Sequence, residues 1–125
     1  MKRIISTDAA PAAIGPYSQA VQVNGILFIS GQIPVDPSTG NIVQGDITEQ
    51  TEQVFKNIEA ILAHAGMTTD NVVKTTVFLA DINHFAAMNA VYAKHFSKDF
   101  PARSAVAVKS LPKNALLEIE TIAAL

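Results

Sequence analysis

Residues 46–80, DITEQTEQVFKNIEAILAHAGMTTDNVVKTTVFLA, combine a helix pattern with a strand pattern and set the class of the fold. Asp46 followed by Glu49 is a capping-box signature for a helix start, and Gly66 is typical of a helix end. Between them, apolar side chains recur at helical spacing, namely at Val54, Ile58, Ile61, Leu62 and Ala65. Residues 72–80 are rich in β-branched and aromatic side chains, which favour a strand. The segment therefore predicts a helix that leads into a strand.

The region before this unit predicts a β-hairpin. Residues 18–34 contain two short β-prone runs around Asn24-Gly25, a dipeptide that accepts the positive φ angles of a type I′ turn. Such a turn pairs Val21 with Phe28 across the two strands. A connection rich in proline, glycine, aspartate and asparagine then separates the hairpin from the helix.

The region after the unit predicts a second helix and a second hairpin. Asp81 caps a helix on which Phe85, Met88 and Tyr92 share one face. Residues 102–110 and 116–124 have strand patterns, and the short run between them predicts that the two strands pair as a hairpin. The complete predicted order is β-β-α-β-α-β-β.

This order predicts one α+β domain over residues 1–125. Two strand–helix–strand units with the usual right-handed crossover place both helices on one face of a mixed sheet. The opposite face then has no cover within the chain, and an apolar face of that size is not left in water. Its expected members are Thr75, Val77, Leu79, Ala105 and Ala107. We therefore expect a homo-oligomer whose sheets pack together and whose clefts lie where subunits meet.

Composition and charge exclude several classes of function. The formal net charge is −2 and the only arginines are Arg3 and Arg103, so the chain lacks the basic surplus of a nucleic-acid-binding protein. The chain has no cysteine, which removes disulfides, thiolate nucleophiles and cysteine-ligated metals. No apolar run reaches the length of a signal-peptide core or a membrane span, so a cytoplasmic protein without a membrane partner is expected.

The sequence shows no motif for a metal or an organic cofactor. The three histidines, His64, His84 and His95, do not follow a metal-binding spacing, and no glycine-rich phosphate loop occurs. No serine has an evident histidine and aspartate arrangement for nucleophilic catalysis. We therefore expect chemistry that uses neither a cofactor nor a covalent intermediate.

Arg103 and Glu118 are the strongest candidates for chemistry. Arg103 starts a strand, and its planar guanidinium suits bidentate capture of a carboxylate, although a structural salt bridge is an equal alternative. Glu118 and Glu120 project to one face of their strand, where repulsion and partial burial can raise the pKa of one carboxyl. Two solvated carboxylates are the more common case. In the predicted hairpin, Arg103 and Glu118 lie roughly 13 Å apart and face one small ligand.

Two segments before the first helix are candidates for the rim of a cleft. Ser30-Gly31 ends a strand, where glycine permits a ligand to approach backbone N–H groups, but a β-bulge is equally common there. Tyr17 follows Gly15-Pro16, a stiff segment that can hold a phenol at the lip of a cleft. Packing of the ring with its hydroxyl at the surface is the structural alternative for Tyr17.

The motifs around these candidates resemble those of the RidA-type reactive intermediate deaminases. The most specific motif is Pro101-Ala102-Arg103-Ser104 together with Leu117-Glu118-Ile119. The other similar runs are Ile14-Gly15-Pro16-Tyr17-Ser18-Gln19, Ser30-Gly31-Gln32-Ile33-Pro34 and Val73-Lys74-Thr75-Thr76-Val77-Phe78. This resemblance over nearly the whole chain implies a chorismate-mutase-like, ferredoxin-related α+β fold. It also implies a homotrimer in which the sheets pack into a central barrel and three clefts lie between subunits.

The resemblance implies an activity as well. RidA-type enzymes hydrolyse 2-aminoacrylate, 2-iminopropanoate and 2-iminobutanoate to 2-oxo acids and ammonia, without a metal or an organic cofactor. By this resemblance, Arg103 binds the substrate carboxylate and Glu118 positions or activates the water. The other pocket positions that it implies are Tyr17, Ser30, Gly31, Asn89 and Ala105. Because Ala105 stands where the family often has cysteine, only its backbone carbonyl is available to a ligand.

Two other functions stay open at this stage. An endoribonuclease that inhibits translation is an activity attached to some family members, but the chain has only two tyrosines and no tryptophan for base stacking. A non-catalytic, chaperone-like binder of 2-oxo acids would use the same Arg103 pocket. Only turnover separates such a binder from an enzyme.

Overall fold

The computed structural model describes all 125 residues and contains two α-helices, a six-stranded mixed sheet and a separate two-stranded hairpin. The strands are β1 (Arg3–Ile5), β2 (Ala20–Val23), β3 (Ile26–Gln32), β4 (Val35–Asp36), β5 (Asn41–Ile42), β6 (Val72–Leu79), β7 (Ala102–Ala107) and β8 (Leu117–Ala124). The helices are α1 (Ile47–His64) and α2 (Phe85–Lys94), and 3₁₀ turns cover Thr69–Asn71, Ile82–His84 and Pro112–Asn114. The predicted α+β class and element order are confirmed, with β1, β4 and β5 as additional short strands.

The large sheet has the strand order β1-β2-β3-β8-β6-β7. Only β6 and β7 are parallel neighbours, and every other neighbouring pair is antiparallel. Because β8 runs antiparallel to both β3 and β6, those two strands are parallel to each other, so α1 and α2 both lie in crossover connections. The helices pack against each other, α1 contacts β3 and β8, and α2 bonds to β6 through Tyr92 and Thr75. Both helices therefore cover one face of the sheet.

The N-terminal hairpin has the predicted register. Asn24 and Gly25 have φ angles of 51° and 76°, as a type I′ turn requires at both central positions. Val21 lies opposite Phe28, which confirms the prediction. A dipeptide that tolerates positive φ thereby fixes the pairing of β2 with β3, the strand that carries Ser30-Gly31.

Helix α1 has the predicted start, stripe and end. The Asp46 side chain accepts a hydrogen bond from the Thr48 N–H, and the Glu49 side chain accepts one from the Asp46 N–H, both at 2.9 Å. The apolar stripe packs into the core, and its fully buried members are Val54, Ile58, Ile61 and Leu62. Beyond the last turn, Gly66 adopts a φ of +76°. The capping box thus marks the start of α1 and the glycine its end, and the helix between them presents this stripe to the sheet.

The predicted C-terminal hairpin is wrong. β7 lies at the sheet edge and pairs in parallel with β6, whereas β8 lies in the sheet interior between β3 and β6. Alternate residues of β8, including Leu117, Ile119 and Ala123, have no exposed surface. A hairpin with an edge strand would give this apolar row one strand neighbour in place of two. Burial of the row therefore overrides the tendency of consecutive strands to pair.

The predicted membership of the uncovered sheet face is also wrong. Thr75, Val77 and Leu79 point toward the helices and are at most 1% exposed. Ala105 and Ala107 lie opposite Val77 and Leu79, so they belong to the helix-covered face as well. A pattern of period two defines two sets of side chains on a strand, but it does not say which set meets the helices.

The face that the helices leave uncovered nevertheless carries several large apolar side chains. It carries Ile26 and Phe28 of β3 and Val106 of β7, which are 38%, 45% and 45% exposed. Phe78 of β6 lies opposite Val106 on the same face. Ile122 of β8 lies opposite Phe28, and the polar side chains of Lys74, Thr76, Glu118 and Glu120 lie on the same face between β3 and β7. We call this mixed surface the open sheet face.

Candidate active site

Arg103 lies on the edge strand β7, and its side chain contacts helix α2. The guanidinium Nη1 donates a hydrogen bond of 2.6 Å to Oδ1 of Asn89. The guanidinium Cζ lies 4.6 Å from the ring centroid of Tyr92 and 5.4 Å from that of Phe85. These three residues of α2 are spaced i, i+4 and i+7, so a single helix face holds the guanidinium.

The positive charge of Arg103 has no acidic partner in the chain. The three ion pairs of the structure join Lys94 and His95 to Glu52 and Glu59. The groups that hold the guanidinium are an amide oxygen and two aromatic faces, all of them neutral. The chain therefore contains no salt bridge to Arg103, and within the chain the charge is available to an anion.

A cavity of about 380 Å³ opens beside this guanidinium. Its lining combines a cation and an amide with apolar and aromatic groups, and consists of Asn89, Tyr92, Ala93, Phe100, Pro101 and Arg103. The volume lies toward the lower end of the range for small-molecule sites. One fixed cation in such a lining suits a short organic acid, because the carboxylate meets the cation while the carbon chain meets the apolar wall.

Glu118 lies on β8 and packs against Gly31 of β3. A Cβ atom at residue 31 would overlap the Glu118 carboxylate, so the glycine is needed there for space. Burial raises the pKa of Glu118 above the usual glutamate value, and the negative charge of Glu120 raises it further. This carboxyl therefore exchanges a proton closer to neutral pH than an ordinary glutamate, which suits acid–base chemistry.

Ser30 ties the segment after Tyr17 to β3. The Ser30 hydroxyl donates a hydrogen bond of 2.7 Å to the Ser18 carbonyl, and the Ser30 N–H donates one of 2.9 Å to the Gln19 carbonyl. Tyr17 itself is 53% exposed, and its hydroxyl accepts a long hydrogen bond of 3.4 Å from the Ile14 N–H. The Tyr17 ring thus stands at the surface, next to the backbone that Ser30 holds.

The predicted site residues form two separate groups within one chain. The first group is held together by α2 and β7, and we call Asn89, Arg103 and Ala105 the arginine half-site. The second group surrounds the end of β3 and the start of β8, and we call Tyr17, Ser30, Gly31 and Glu118 the glutamate half-site.

The two half-sites lie on opposite faces of the sheet. Arg103 pairs with Thr75, which faces the helices, whereas Glu118 pairs with Phe78 on the open sheet face. Thr75 and Phe78 are three residues apart along β6, and β7 and β8 are two strand spacings apart. The Cα atoms of Arg103 and Glu118 therefore lie about 14 Å apart. The prediction that Arg103 and Glu118 face one ligand within a chain is therefore wrong, because it depends on a hairpin register that the structure does not have.

Tyr92 and Phe85 are contacts of the arginine that the sequence did not reveal. The predicted face of the second helix includes both residues, but nothing local connects that face with Arg103. The signal that could have found them is the i, i+4, i+7 spacing with Asn89, combined with a parallel pairing of β7 and β6. The predicted pairing of β7 with β8 left no place for this pairing of β7 with β6.

The structure contains no group of three or more histidine, aspartate or glutamate side chains arranged to hold a metal ion. None of its helices combines the length and the apolar character that crossing a membrane requires.

Comparisons with known proteins agree with one another. The family model described as endoribonuclease L-PSP matches residues 7–125. The human 2-iminobutanoate/2-iminopropanoate deaminase is 52% identical over 123 residues, which cover 98% of this chain and 90% of that protein. A Yersinia pestis protein of unknown function from the conserved Rid family has a crystal structure that matches with a TM-score of 0.98, at 55% identity over 100% of both chains. The crystal structure of E. coli TdcF with bound serine matches with a TM-score of 0.92, at 44% identity over 98% of both chains.

Proposed function

Because the chain belongs to the endoribonuclease L-PSP family, which includes the RidA-type deaminases, we propose that it hydrolyses short 2-imino acids. The proposed substrates are 2-iminopropanoate, 2-iminobutanoate and the enamine 2-aminoacrylate, and the products are 2-oxo acids and ammonia. The observation that carries the proposal is the uncompensated guanidinium of Arg103 beside a small cavity with both apolar and polar lining residues. The human relative is a deaminase for two of these imines, and E. coli TdcF binds serine, which also bears a carboxylate.

The guanidinium retains enough donors for a substrate carboxylate. Arginine has five N–H donors, and one of those on Nη1 is used by Asn89. The remaining donors include the pairs that form two parallel hydrogen bonds with a carboxylate. Asn89 thus fixes one corner of the guanidinium and leaves the rest of it for the ligand.

The complete site is proposed to form between subunits of a homotrimer. One chain carries the arginine half-site and the glutamate half-site on opposite sheet faces, so a single ligand does not reach both. The apolar side chains of the open sheet face favour packing against neighbouring subunits. In this assembly, the arginine half-site of one subunit meets the glutamate half-site of the next, and the RidA resemblance supports the number three.

In the proposed reaction, 2-aminoacrylate first tautomerises to 2-iminopropanoate, with a proton gained at its terminal carbon and one lost from nitrogen. Water then adds to the carbon of the C=N bond of each imine, and ammonia leaves. Arg103 holds the carboxylate, which places the imine carbon beside the glutamate half-site of the neighbouring subunit. Glu118 takes a proton from the attacking water and passes it to the imine nitrogen, which gives a neutral carbinolamine. Glu118 then takes the hydroxyl proton and delivers it to the amine as the C–N bond breaks and the C=O bond forms.

The modest chemical demand of this reaction fits the groups available. An imine carbon is already electrophilic, so general acid–base help of about 10²- to 10⁴-fold together with orientation is a sufficient contribution. The raised pKa of Glu118 suits both of its roles, because the group must accept and donate a proton in one turnover. Neither a covalent nucleophile nor an organic cofactor is needed for these steps.

Imine removal in a coupled assay tests this proposal. A pyridoxal-phosphate threonine dehydratase generates 2-iminobutanoate, semicarbazide traps the imine that escapes, and absorbance reports the trapped product. Catalytic amounts of the wild-type chain are expected to suppress trapping, and Arg103→Ala is expected to lose about 100-fold in kcat/KM through loss of the charged contact. Arg3→Ala is the matched control, because Arg3 is the only other arginine and lies exposed on β1.

The outcomes separate the proposal from its alternatives. Turnover by Arg103→Ala equal to that of the wild type would contradict it. Suppression that requires stoichiometric protein would indicate a binder of 2-oxo acids without catalysis. Incubation of the same proteins with RNA tests the endoribonuclease alternative, and cleavage that survives Arg103→Ala would point to a site elsewhere.

A further inference from the structure

Tyr92 has an unusual position for a tyrosine of a hydrophobic core. The residue is 3% exposed, yet the Arg103 guanidinium Cζ lies 4.6 Å from its ring centroid. We infer that Tyr92 is a positioning residue, whose ring sets the orientation of the Arg103 guanidinium toward the substrate carboxylate. This inference rests on the proposed function, since it assigns a role within the same site.

The Tyr92 ring is held rigidly from several sides. Its hydroxyl forms a hydrogen bond of 2.7 Å with the hydroxyl of Thr75, which is 1% exposed. Phe55 meets the ring edge-on at a centroid distance of 5.5 Å, and Phe96 packs on it at 4.9 Å. These contacts leave the ring little freedom to turn, so the surface it offers to the guanidinium is fixed.

Thr75 links the two partners of this contact. It is the register partner of Arg103 across the parallel β6–β7 pair, and it is also the hydrogen-bond partner of Tyr92. Thr75 thus fixes both the backbone position of Arg103 and the position of the Tyr92 hydroxyl. The geometry of guanidinium and ring is therefore fixed by the sheet rather than by a loop.

A neutral ring is a better support here than a carboxylate. A carboxylate beside Arg103 would hold the guanidinium, but it would neutralise the charge and occupy donors that the substrate needs. Aromatic faces attract a guanidinium without using its N–H donors. Burial raises the pKa of the Tyr92 hydroxyl, which keeps the phenol uncharged. Tyr92 therefore orients the cation and leaves it free to bind an anion.

Steady-state kinetics with paired substitutions tests the inference. Tyr92→Leu removes the aromatic face and is expected to raise KM for 2-iminobutanoate by about 5- to 30-fold while kcat changes less than about threefold, because the lost contact serves binding. Tyr92→Phe keeps the ring and is expected to stay within about threefold of the wild type in KM. Rescue of KM by the phenyl ring alone is the result that identifies the aromatic face as the active feature.

Two further variants separate positioning from core packing. Leu62→Ala removes a buried side chain of α1 that lies two helical turns beyond Phe55, the α1 residue that meets the Tyr92 ring, and it is expected to lower the melting temperature without raising KM. Phe85→Leu removes the other ring beside the guanidinium, and because Phe85 is 36% exposed this variant should fold normally. It is expected to raise KM by about 2- to 5-fold, which keeps the test open if Tyr92→Leu does not fold.

Arginine NMR provides a readout that does not depend on catalysis. The chain has two arginines, so a ¹⁵N-arginine spectrum has two side-chain Nε–H signals, and Arg3→Lys assigns them. The Arg103 signal is expected to be shifted by the neighbouring rings in the wild type and in Tyr92→Phe. In Tyr92→Leu it should move toward the position of the exposed Arg3 signal, and titration with 2-oxobutanoate should perturb it more weakly.

Each outcome decides between the two proposals. An active wild type whose KM and Arg103 signal are unchanged in Tyr92→Leu would overturn the inference and leave the proposed function intact. Equal effects of Tyr92→Leu and Leu62→Ala on KM would overturn it as well, because the role would then be structural. An inactive wild type would overturn the proposed function, and the Arg103 signal would still decide whether Tyr92 orients the guanidinium.

Discussion

Gly31 is required in β3 for space and not for backbone freedom. Its φ lies outside the left-handed region, but a Cβ atom would overlap the carboxylate of Glu118. That carboxylate is partly buried and lies near Glu120, and both conditions oppose its ionisation. The chain therefore keeps at this position a charge that weakens the fold, which is a frequent property of reactive sites.

Glu118→Gln is expected to stabilise the fold near neutral pH while it reduces imine hydrolysis. A carboxyl whose folded-state pKa is raised above its ordinary value of 4.5 binds its proton more tightly in the folded than in the unfolded chain. Wild-type stability therefore falls as pH rises from about 4 through the raised pKa, and the loss persists above it. Thermal unfolding followed by circular dichroism should give the variant the higher melting temperature at pH 7 and a smaller difference near pH 4.

Glu120→Gln removes one of the two causes of the raised Glu118 pKa and is tested in the same way. Removal of the Glu120 charge should lower the pKa of Glu118 and move the acidic limb of the kcat/KM profile to lower pH. If Glu118→Gln melted below the wild type by the same amount at every pH, the ionised Glu118 carboxylate would not be destabilising the fold.

Among the elements of the fold, the N-terminal arm depends on one side chain. Gln19 precedes β2 and is 3% exposed. Its Oε1 accepts a hydrogen bond from the Thr7 N–H, and its Nε2 donates to the carbonyls of Thr7, Ala10 and Pro11. The arm that is fixed in this way leads into Tyr17 of the glutamate half-site, so the buried Gln19 amide supports the segment that carries Tyr17.

Gln19→Leu is expected to destabilise the chain by about 2–4 kcal/mol, because four hydrogen bonds are lost and buried backbone groups stay without partners. KM for 2-iminobutanoate should rise as Tyr17 loses its support, while kcat changes less. Urea unfolding and the coupled assay measure the two effects. Gln22→Leu on β2 is the control, since Gln22 makes no comparable side-chain contacts, and equal losses in both variants would contradict the role of the Gln19 amide.

The elements with local signals were predictable from the sequence. Asp46 and Glu49 mark the start of α1, because a capping box acts within four residues. Asn24-Gly25 sets the first hairpin, because the turn geometry fixes the strand register. These features need no knowledge of the rest of the chain. Their predictions are confirmed for this reason.

The placement of β7 and β8 was not predictable in the same way. Whether β8 pairs with its predecessor in sequence or inserts between β3 and β6 depends on burial across the whole sheet. The candidate site inherits this problem, because one register decides the face on which Arg103 and Glu118 lie. The sequence could therefore identify Arg103 and Glu118 as candidate residues, but it could not show that they lie on opposite faces of the sheet within one chain.

For the whole molecule, the separation of the half-sites and the exposure of the open sheet face lead to the same requirement. The chain presents large apolar side chains from β3 to β7 on the face that holds Glu118. Packing of that face against neighbours would remove the apolar surface from water. The same packing would bring the arginine half-site of one subunit toward the glutamate half-site of another, so stability and catalysis would depend on one assembly.

Subunit mixing tests this dependence directly. Arg103→Ala and Glu118→Gln are each expected to be nearly inactive alone, because every cleft then lacks one half-site. In mixed oligomers, a cleft is intact when its arginine comes from a Glu118→Gln subunit and its glutamate from an Arg103→Ala subunit. Random one-to-one mixing makes about a quarter of the clefts intact, so activity per cleft should recover to about a quarter of the wild-type value.

The control for this recovery changes one partner only. Arg103→Ala mixed with the double variant Arg103→Ala/Glu118→Gln has no intact arginine half-site in any subunit, and it should stay inactive after the same unfolding and refolding. If each chain carried a complete site, no mixture of the two single variants would exceed its components. Recovery in the first mixture and not in the second therefore requires that Arg103 and Glu118 of different chains act on one substrate.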